Sequence, residues 1–480
     1  MRRVRREPAG ARAGRAAGVV LGLAACLAVW SPAAAERLEI TLDEAIGIAL
    51  EGNLELAIVR GEEQAAHARL GQARAGFLPR LNASGSYTRL DEAPYMDASQ
   101  FGDLFAPLMA PFNDLVENEY LDPATLEGLQ GGGADKIYLG DDDIYSIGVS
   151  VEQPLFTGGR LLSGYGAAKH AAEAASLSAR RAEDETRYEV TQAYTRLVVA
   201  QAAVEVTDDA VEQMRSHLSD IEAMYGEGMV LESDVMSARV RMSEVELERN
   251  SAEHGARLAQ AALAFALGVS VDTEIVPVDG LEAGASPSRD ESAWVDTAVA
   301  NRPDLHAMSE TTEAAGNAVS IARSGYLPQI VLIGNYNWDR PNREYEPEFY
   351  DHWSVTVALQ MNIFDWGLTG NRIQEAKAGR IQAENGLALL EEAVRLEVRQ
   401  SLLGHDEAAA AVVIAEAGLT QARESMRIAR ESFRSGAATN SDVLDAQTAA
   451  TAAKMNRLAA LARLKSAEAK LELATGIGSR

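Results

Sequence analysis

Cysteine is almost absent from this 480-residue chain: Cys26 is the only one. No disulfide framework and no cysteine-based metal site can be built from it. Proline is missing from residues 155–276 and from residues 348–480, so nothing there interrupts a very long helix. Beyond the N-terminal segment there is no run of 18 or more apolar residues. That excludes a transmembrane helix, and such a chain can span a membrane only with β-strands. Basic charge is scarce, with 44 Lys and Arg against 71 Asp and Glu, a net charge of −27. Nucleic acid is not a partner for a field of that sign. Catalytic signatures are missing too: there is no phosphate-binding loop, no HExxH and no GxSxG. The seven histidines (His67, His170, His217, His254, His306, His352, His405) are scattered, mostly on polar helical stretches. His170 and Glu173 share a helix face, a pair that reads as solvated. No cofactor, metal or catalytic site is expected, and the chain does not read as an enzyme.

The first residues form a segment of their own. Arg2, Arg3, Arg5, Arg6, Arg12 and Arg15 precede an apolar stretch over residues 16–30, and Ser31-Pro32-Ala33-Ala34-Ala35 follows. This is the pattern of a secretory signal peptide, with cleavage expected after Ala35. Leu23-Ala24-Ala25-Cys26 also has the form of a lipobox, which would leave Cys26 as a lipidated N-terminus. Leu27-Ala28-Val29-Trp30 continues the apolar run where a lipoprotein turns polar, so cleavage after Ala35 is the simpler reading. Loss of six Arg and one Glu would leave 38 basic against 70 acidic side chains, a net −32.

An internal duplication organises the remainder. Ala73-Arg74-Ala75-Gly76-Phe77-Leu78-Pro79 recurs as Ala322-Arg323-Ser324-Gly325-Tyr326-Leu327-Pro328, and Asn53-Leu54-Glu55-Leu56 as Arg302-Pro303-Asp304-Leu305, both at an offset of 249. Further on the offset is 208. Pro154-Leu155-Phe156-Thr157-Gly158-Gly159 matches Asn362-Ile363-Phe364-Asp365-Trp366-Gly367, and Gly228 with Ser233-Asp234-Val235 matches Gly436 with Ser441-Asp442-Val443. The difference of 41 is an insertion between Thr88 and Tyr145. Residues 1–35 are thus read as signal, 36–280 as a first repeat and 281–480 as a second.

Each repeat reads as helix, strand, loop, strand, very long helix, tip, helix. A capping box at Thr41-Leu42-Asp43-Glu44 starts the first helix, expected to run to about Gly76. Apolar positions recur at three- and four-residue spacing over residues 158–223, roughly 100 Å of helix. The many alanines allow such helices to pack closely. Four short segments alternate instead. Leu81, Ala83, Gly85 and Tyr87 share one face, as do Tyr145, Ile147, Val149 and Val151, and Trp353, Val355, Val357, Leu359, Met361 and Ile363. Residues 330–338 alternate less cleanly. These lengths cross a bilayer at a tilt, and Tyr87, Tyr145, Trp338 and Trp353 sit at the loop ends where an interfacial girdle lies. Four strands cannot close a membrane barrel, so two chains giving eight strands or three giving twelve must share one. The loop over residues 89–144 carries 13 acidic against two basic residues. Its Asp141-Asp142-Asp143 run reads as solvated acids without EF-hand spacing.

These residues resemble the TolC-like outer-membrane efflux protein family. The carriers are the joints ending Phe77-Leu78-Pro79 and Tyr326-Leu327-Pro328, the joint Gln153-Pro154-Leu155-Phe156-Thr157-Gly158-Gly159, and the two tips, Tyr225-Gly226-Glu227-Gly228 through Ser233-Asp234-Val235 and Phe433-Arg434-Ser435-Gly436 through Ser441-Asp442-Val443-Leu444-Asp445-Ala446-Gln447. The resemblance implies a mainly α chain with a transmembrane β part: a homotrimer with a 12-stranded β-barrel in the outer membrane, continued by a 12-helix α-barrel in the periplasm. It implies a passive exit duct for efflux or type I secretion, docked by its tips to a periplasmic adaptor of an inner-membrane pump, where cargo selectivity is expected to lie. Gly226, Gly228 and Gly436 would permit the reversal, Ser233 and Ser441 would cap the following helices, and Asp234 and Asp442 would sit in their first turns. The gate is implied at Asp442 and Asp445, three apart on one helix face. Family members often hold the tip shut with a tyrosine and an arginine; Phe433 and Ala438 stand at those positions here. The rival reading is a non-channel periplasmic coiled-coil or adaptor protein, which would need a compact β-rich domain flanking a helical hairpin.

Overall fold

The computed structural model describes residues 37–97, 136–138, 141–281, 290–344 and 346–479. The signal segment, Cys26 and most of the acidic insertion lie outside the described residues. In chain order the elements are β1 (Arg37–Ile40), α1 (Leu42–Gly52), α2 (Leu54–Ala75), β2 (Arg80–Arg89), β3 (Tyr95–Asp97), β4 (Lys136–Tyr138), β5 (Asp143–Phe156), α3 (Arg160–Gly226), α4 (Glu232–Leu267), β6 (Glu274–Pro277), α5 (Glu291–Asn301), α6 (Pro303–Arg323), β7 (Gln329–Arg340), β8 (Tyr350–Gln360), α7 (Leu368–Arg434) and α8 (Asn440–Thr475). The helices α3 and α7 have 67 residues each, and α4 and α8 have 36 each. Every boundary of the second pair lies 208 residues after its counterpart in the first. The first long helix begins at Arg160, two residues later than its periodicity suggests, because Gly158 and Gly159 hold positive φ of 62° and 85°.

The chain divides into two compact units. Among the described residues the first comprises 37–54, 184–281 and 400–473. Here β1 and β6 form a parallel pair with Leu38 opposite Ile275, an element too short to register in the sequence pattern. Ile40 and Ile275 join Ala45 and Ala49 of α1, Val190, Tyr194 and Leu197 of α3, and Leu263, Ala264 and Leu267 of α4 in one core. Burying a tyrosine requires a partner for its hydroxyl. Tyr194 donates to the Ile40 carbonyl at 3.0 Å and accepts from the Asp279 N–H at 3.1 Å. Thr41 caps α1 with the expected capping box. The helix does not run on to Gly76, however. It breaks at Asn53, which is extended (φ −67°, ψ 125°) and whose side chain donates to the Ala266 carbonyl at 3.0 Å. Gly268, at φ 73°, abuts this break: a Cβ there would lie 2.1 Å from the Gly52 carbonyl oxygen. Elsewhere in the unit, Ala408 and Val412 of α7 pack on Ala460, Leu461 and Leu464 of α8.

Among the described residues the second unit comprises those within 55–183, 290–399 and 474–479. Its centre is a four-stranded antiparallel sheet in the order β2-β5-β7-β8. Both hairpins are present, and β5 joins them by pairing with β7 as well as with β2. The strand β5 extends to Phe156 across Pro154, with a register shift between Pro154 and Phe156. A bulge there accommodates a residue with no N–H to give. The strand β8 stops at Gln360, short of the alternation that continues to Ile363. The insertion, read from sequence as loop, contains the small ladder β3–β4. The second repeat breaks its own helix at Arg302, also extended (φ −68°, ψ 120°), with Pro303 opening α6. Gly476, at φ 68°, abuts this break as Gly268 abuts the first.

The two breaks are held by different chemistry. Arg302 is only 3% exposed. It donates to Asp304 and Glu397 at 2.6 Å each and to the Ala474 carbonyl at 3.2 Å. Burial pushes the Asp304 carboxyl up, but the bonds and charge of Arg302 outweigh it and hold the pKa below the ordinary carboxylate value. Removing one member of a buried ionic cluster strands the others. Arg302→Ala is expected to destabilise the protein by ~2–4 kcal/mol, the partial exposure of Asp304 (23%) and Glu397 (25%) moderating the penalty. Arg302→Lys should recover only part, lacking the planar fork. Thermal melts in detergent check this; a wild-type melting temperature for Arg302→Ala would contradict it.

Candidate functional site

Two helix reversals in the first unit, α3 into α4 and α7 into α8, carry the motifs singled out in the sequence. Both long helices end in the same way. The Gly228 N–H donates to Tyr225 O at 2.9 Å and the Met229 N–H to Met224 O at 2.9 Å; the Gly436 N–H donates to Phe433 O at 2.9 Å and the Ala437 N–H to Ser432 O at 2.8 Å. This is a Schellman closure, which requires a left-handed residue. Gly228 and Gly436 supply it at φ 75° and 78°. Gly226 does not: it is the last residue of α3 with no positive φ, and Arg434 stands at its counterpart.

The caps of α4 and α8 also differ from expectation. Ser233 and Ser441 lie inside the helices, exposed in the first turn. The caps are Leu231 and Thr439, three residues before Asp234 and Asp442. Asp442 accepts from the Thr439 N–H at 2.8 Å and from its hydroxyl at 2.7 Å, while Thr439 Oγ1 accepts from the Asp442 N–H at 3.3 Å. Asp234 accepts from the Leu231 N–H at 3.0 Å. Leucine has no side-chain acceptor to return the bond, so that box is half formed. The Thr439 hydroxyl and amide hold the Asp442 carboxyl below the ordinary pKa. Asp442 and Asp445 are both exposed on one face of α8, with Val443 fully buried on the other.

Beneath the reversals, Met214 and Ile221 of α3, Val235 and Ala238 of α4, Phe433 of α7 and Val443 of α8 form one apolar cluster. Ala438 packs against it. Phe433 therefore serves as core where a tyrosine would reach for a partner. The polar tie is made elsewhere. Asn440 donates through Nδ2 to the Asp234 carbonyl at 3.1 Å, which turns its Oδ1 toward His217. His217 Nε2 lies 2.9 Å from that oxygen and is thus the donor. The His217 ring also meets Phe433 edge-on at 5.6 Å. His217 is buried, unlike a histidine on a polar helical stretch. Its spacing from Met214 and Ile221, three and four residues, was the signal that it shares their apolar face. His170 likewise pairs with Glu310, at 2.6 Å, and not with Glu173. Beside the cluster, Arg423, Arg427, Arg430 and Arg434 follow one face of α7 and line, with Lys454, a groove of about 500 Å³.

Of the remaining candidates, Asp141, Asp142 and Asp143 have carboxylates close enough to share an ion. Each is engaged by its own chain: Arg340 meets Asp141 at 3.3 Å, Arg89 meets Asp142 at 3.1 Å and the Tyr87 hydroxyl meets Asp143 at 2.7 Å.

The chain matches the family described as outer membrane efflux protein over residues 45–269 and 294–477. It is 23% identical over 320 residues to outer membrane protein TolC of Vibrio cholerae, covering 64% of this chain and 70% of that one. It is 23% identical over 341 residues to the alkaline protease secretion protein AprF of Pseudomonas aeruginosa, covering 68% of this chain and 69% of that one. Among solved structures it is similar to a membrane protein from Pseudomonas aeruginosa, with a TM-score of 0.73 at 20% identity, covering 91% of this chain and 92% of the other.

Burial pushes the His217 pKa down, reinforced by the Arg430 charge and opposed by the bond to Asn440 and by Asp220. A folded pKa below the free value of about 6.5 means that the opened tip binds the proton more tightly. The contribution of His217 to tip packing is therefore complete above about pH 6.5 and is lost as pH falls below it. Hydrogen exchange of residues 210–240 and 428–446 is expected to rise between pH 7.5 and pH 5.5, after correction for intrinsic rates. His217→Gln, which keeps a donor without the titration, should flatten that dependence. Equal protection at both pH values in the natural chain would contradict it.

Proposed function

The chain belongs to the outer membrane efflux protein family and is an outer-membrane efflux or secretion channel with a periplasmic α-helical extension, and from that premise we propose that it works as a passive homotrimeric duct, gated at its helix reversals and docked there to a periplasmic adaptor of an inner-membrane pump. The observation that carries the reading is the open sheet. Its edge strands, β2 and β8, have no further neighbour among the described residues. Trp353, Val355, Val357 and Leu359 project from β8 at 63–71% exposure. A four-stranded sheet with a lipid-suited face and two free edges is a fraction of a barrel. Three copies give 12 strands, a size at which a transmembrane barrel closes. The duct performs no chemistry of its own in this reading.

The gate is assigned to Asp442 and Asp445. Threefold symmetry would gather six carboxylates at the narrow end, a ring that attracts cations and repels itself. Thr439 holds the Asp442 pKa down, which opposes the rise that neighbouring like charges in such a ring cause. The reversals at Gly228 and Gly436, with the neighbouring Ser233, Asp234 and Ser441, are the docking surface. In planar bilayers the natural protein should give a small, cation-selective conductance. Asp442→Ala with Asp445→Ala should raise the conductance or reduce the selectivity about twofold or more. Asp442→Asn with Asp445→Asn keeps an acceptor for Thr439 and isolates the effect of charge. Channels unchanged by either variant would remove the gate and leave the duct; no channels at all, with folding and insertion confirmed, would favour a periplasmic coiled-coil protein.

A further inference from the structure

Near the end of α7, Arg423, Arg427, Arg430 and Arg434 recur at spacings of four, three and four residues, and so share one helix face. With Lys454 of α8 they line the groove of about 500 Å³ beside α3, and Glu431 is the one acid in that lining. This row of cations stands in a chain whose net charge is −27.

The fold does not require the row. Helices α3 and α7 have the same length, and the positions 208 residues earlier hold Arg215, Ser219, Glu222 and Gly226. Arg215 is tied to Glu212 at 3.1 Å. Glu246 stands where the second repeat has Lys454. The first repeat makes the same pair of helices without a basic face.

The chain itself meets three of the five cations. Arg427 pairs with Glu424 at 2.6 Å and with Glu431 at 2.8 Å, Lys454 with Asp209 at 2.8 Å, and Arg434 with Asp220 at 3.6 Å. Arg423 and Arg430 have no ion-pair partner among the described residues. Arg423 is exposed and Arg430 is partly buried. The Arg430 guanidinium donates to Gln213 Oε1 of α3 at 3.4 Å, a long bond to a neutral acceptor. Burial and the charge of Arg434 lower the Arg430 pKa, opposed by Asp220. A guanidinium does not shed its proton to escape such a cost. Water can satisfy its donors, but only an anion also offsets the charge. Arg423 and Arg430 are seven residues apart, about 10 Å along the helix. That spacing suits an anion with two or more phosphate or carboxylate groups, and the guanidinium fork matches either group.

We propose that this groove binds a small multivalent oxyanion, built of phosphate or carboxylate groups and held by Arg423 and Arg430 against α3. The site needs neither the barrel nor the carboxylate gate, and its test reads binding alone. The full-length protein in detergent is titrated calorimetrically with tripolyphosphate and separately with citrate, at constant ionic strength and without divalent cations. Saturable binding of at least one of them is expected, at one anion per chain. Arg423→Gln with Arg430→Gln should weaken it about tenfold or more. Arg372→Gln with Arg380→Gln removes as much charge from α7 outside the groove and should leave it unchanged. The bound anion should also slow hydrogen exchange over residues 423–434. No saturable binding by the natural protein would overturn the site, including the case in which a second copy fills the groove. Equal binding by the Arg423/Arg430 variant, or protection only elsewhere, would overturn it too, leaving non-specific anion uptake. If the double variant does not fold, Arg423→Gln alone, at an exposed position, should still weaken binding about threefold, and an unchanged affinity there would contradict the proposal.

Discussion

A β-sheet with two unpaired edges is the constraint on which the rest of this structure depends. Edge N–H and C=O groups are tolerable in water, where solvent satisfies them, and prohibitive in hydrocarbon. The strands β2 and β8 present such edges, and β8 adds a row of exposed apolar side chains. A chain that places this sheet in the outer membrane must pair β2 of one copy with β8 of another. Neighbouring strands alternate in direction through the order β2-β5-β7-β8, so β2 and β8 run opposite ways and closure between copies is antiparallel. Symmetric assembly then fixes how many copies of each helix reversal meet.

Duplication solves the geometric problems of this fold twice, and the two solutions have diverged. Each repeat breaks its entry helix and seats a left-handed glycine against the break. The first break is held by the Asn53 amide on a helix carbonyl, the second by the buried Arg302 with Asp304, Glu397 and the Ala474 carbonyl. The strand-to-helix turns diverge in the same manner, with Gly158 in one and Trp366 in the other at nearly the same φ. At the reversals Phe433 is given to the core, and the polar link between hairpins passes to His217 and Asn440. Where two repeats share a backbone but differ in side chain, the backbone states what folding needs. The side chain states what has been added.

Much of this was legible in the sequence because it rests on periodicity and local chemistry. Helices α3 and α7 follow from proline-free, alanine-rich stretches with three- and four-residue apolar spacing. The hairpins follow from strict alternation, and the start of α1 from Thr41 and Glu44. What escaped depends on tertiary contact. The strands β1 and β6 are four residues each, too short for a pattern, and are held by the core around Tyr194. The break at Asn53 has no proline to mark it; only its match to Arg302-Pro303 hinted at it. Residue preference puts the caps of α4 and α8 at Ser233 and Ser441, two residues after the true caps. The acids at Asp234 and Asp442 reach back three residues and so select Leu231 and Thr439. His217 lies three and four residues from Met214 and Ile221, a spacing that puts it inside.

The central claim is that the two free edges are joined between copies of this chain. The direct measurement is a disulfide scan, with Cys26 replaced, one cysteine at Ser84 on β2 and a second moved through residues 352–358 on β8. Each folded variant is oxidised in the membrane and run on a denaturing gel. The account predicts that a narrow range of β8 positions gives a covalent ladder ending at three subunits. A ladder ending at two would contradict the trimer, and monomers at every position would contradict the shared barrel.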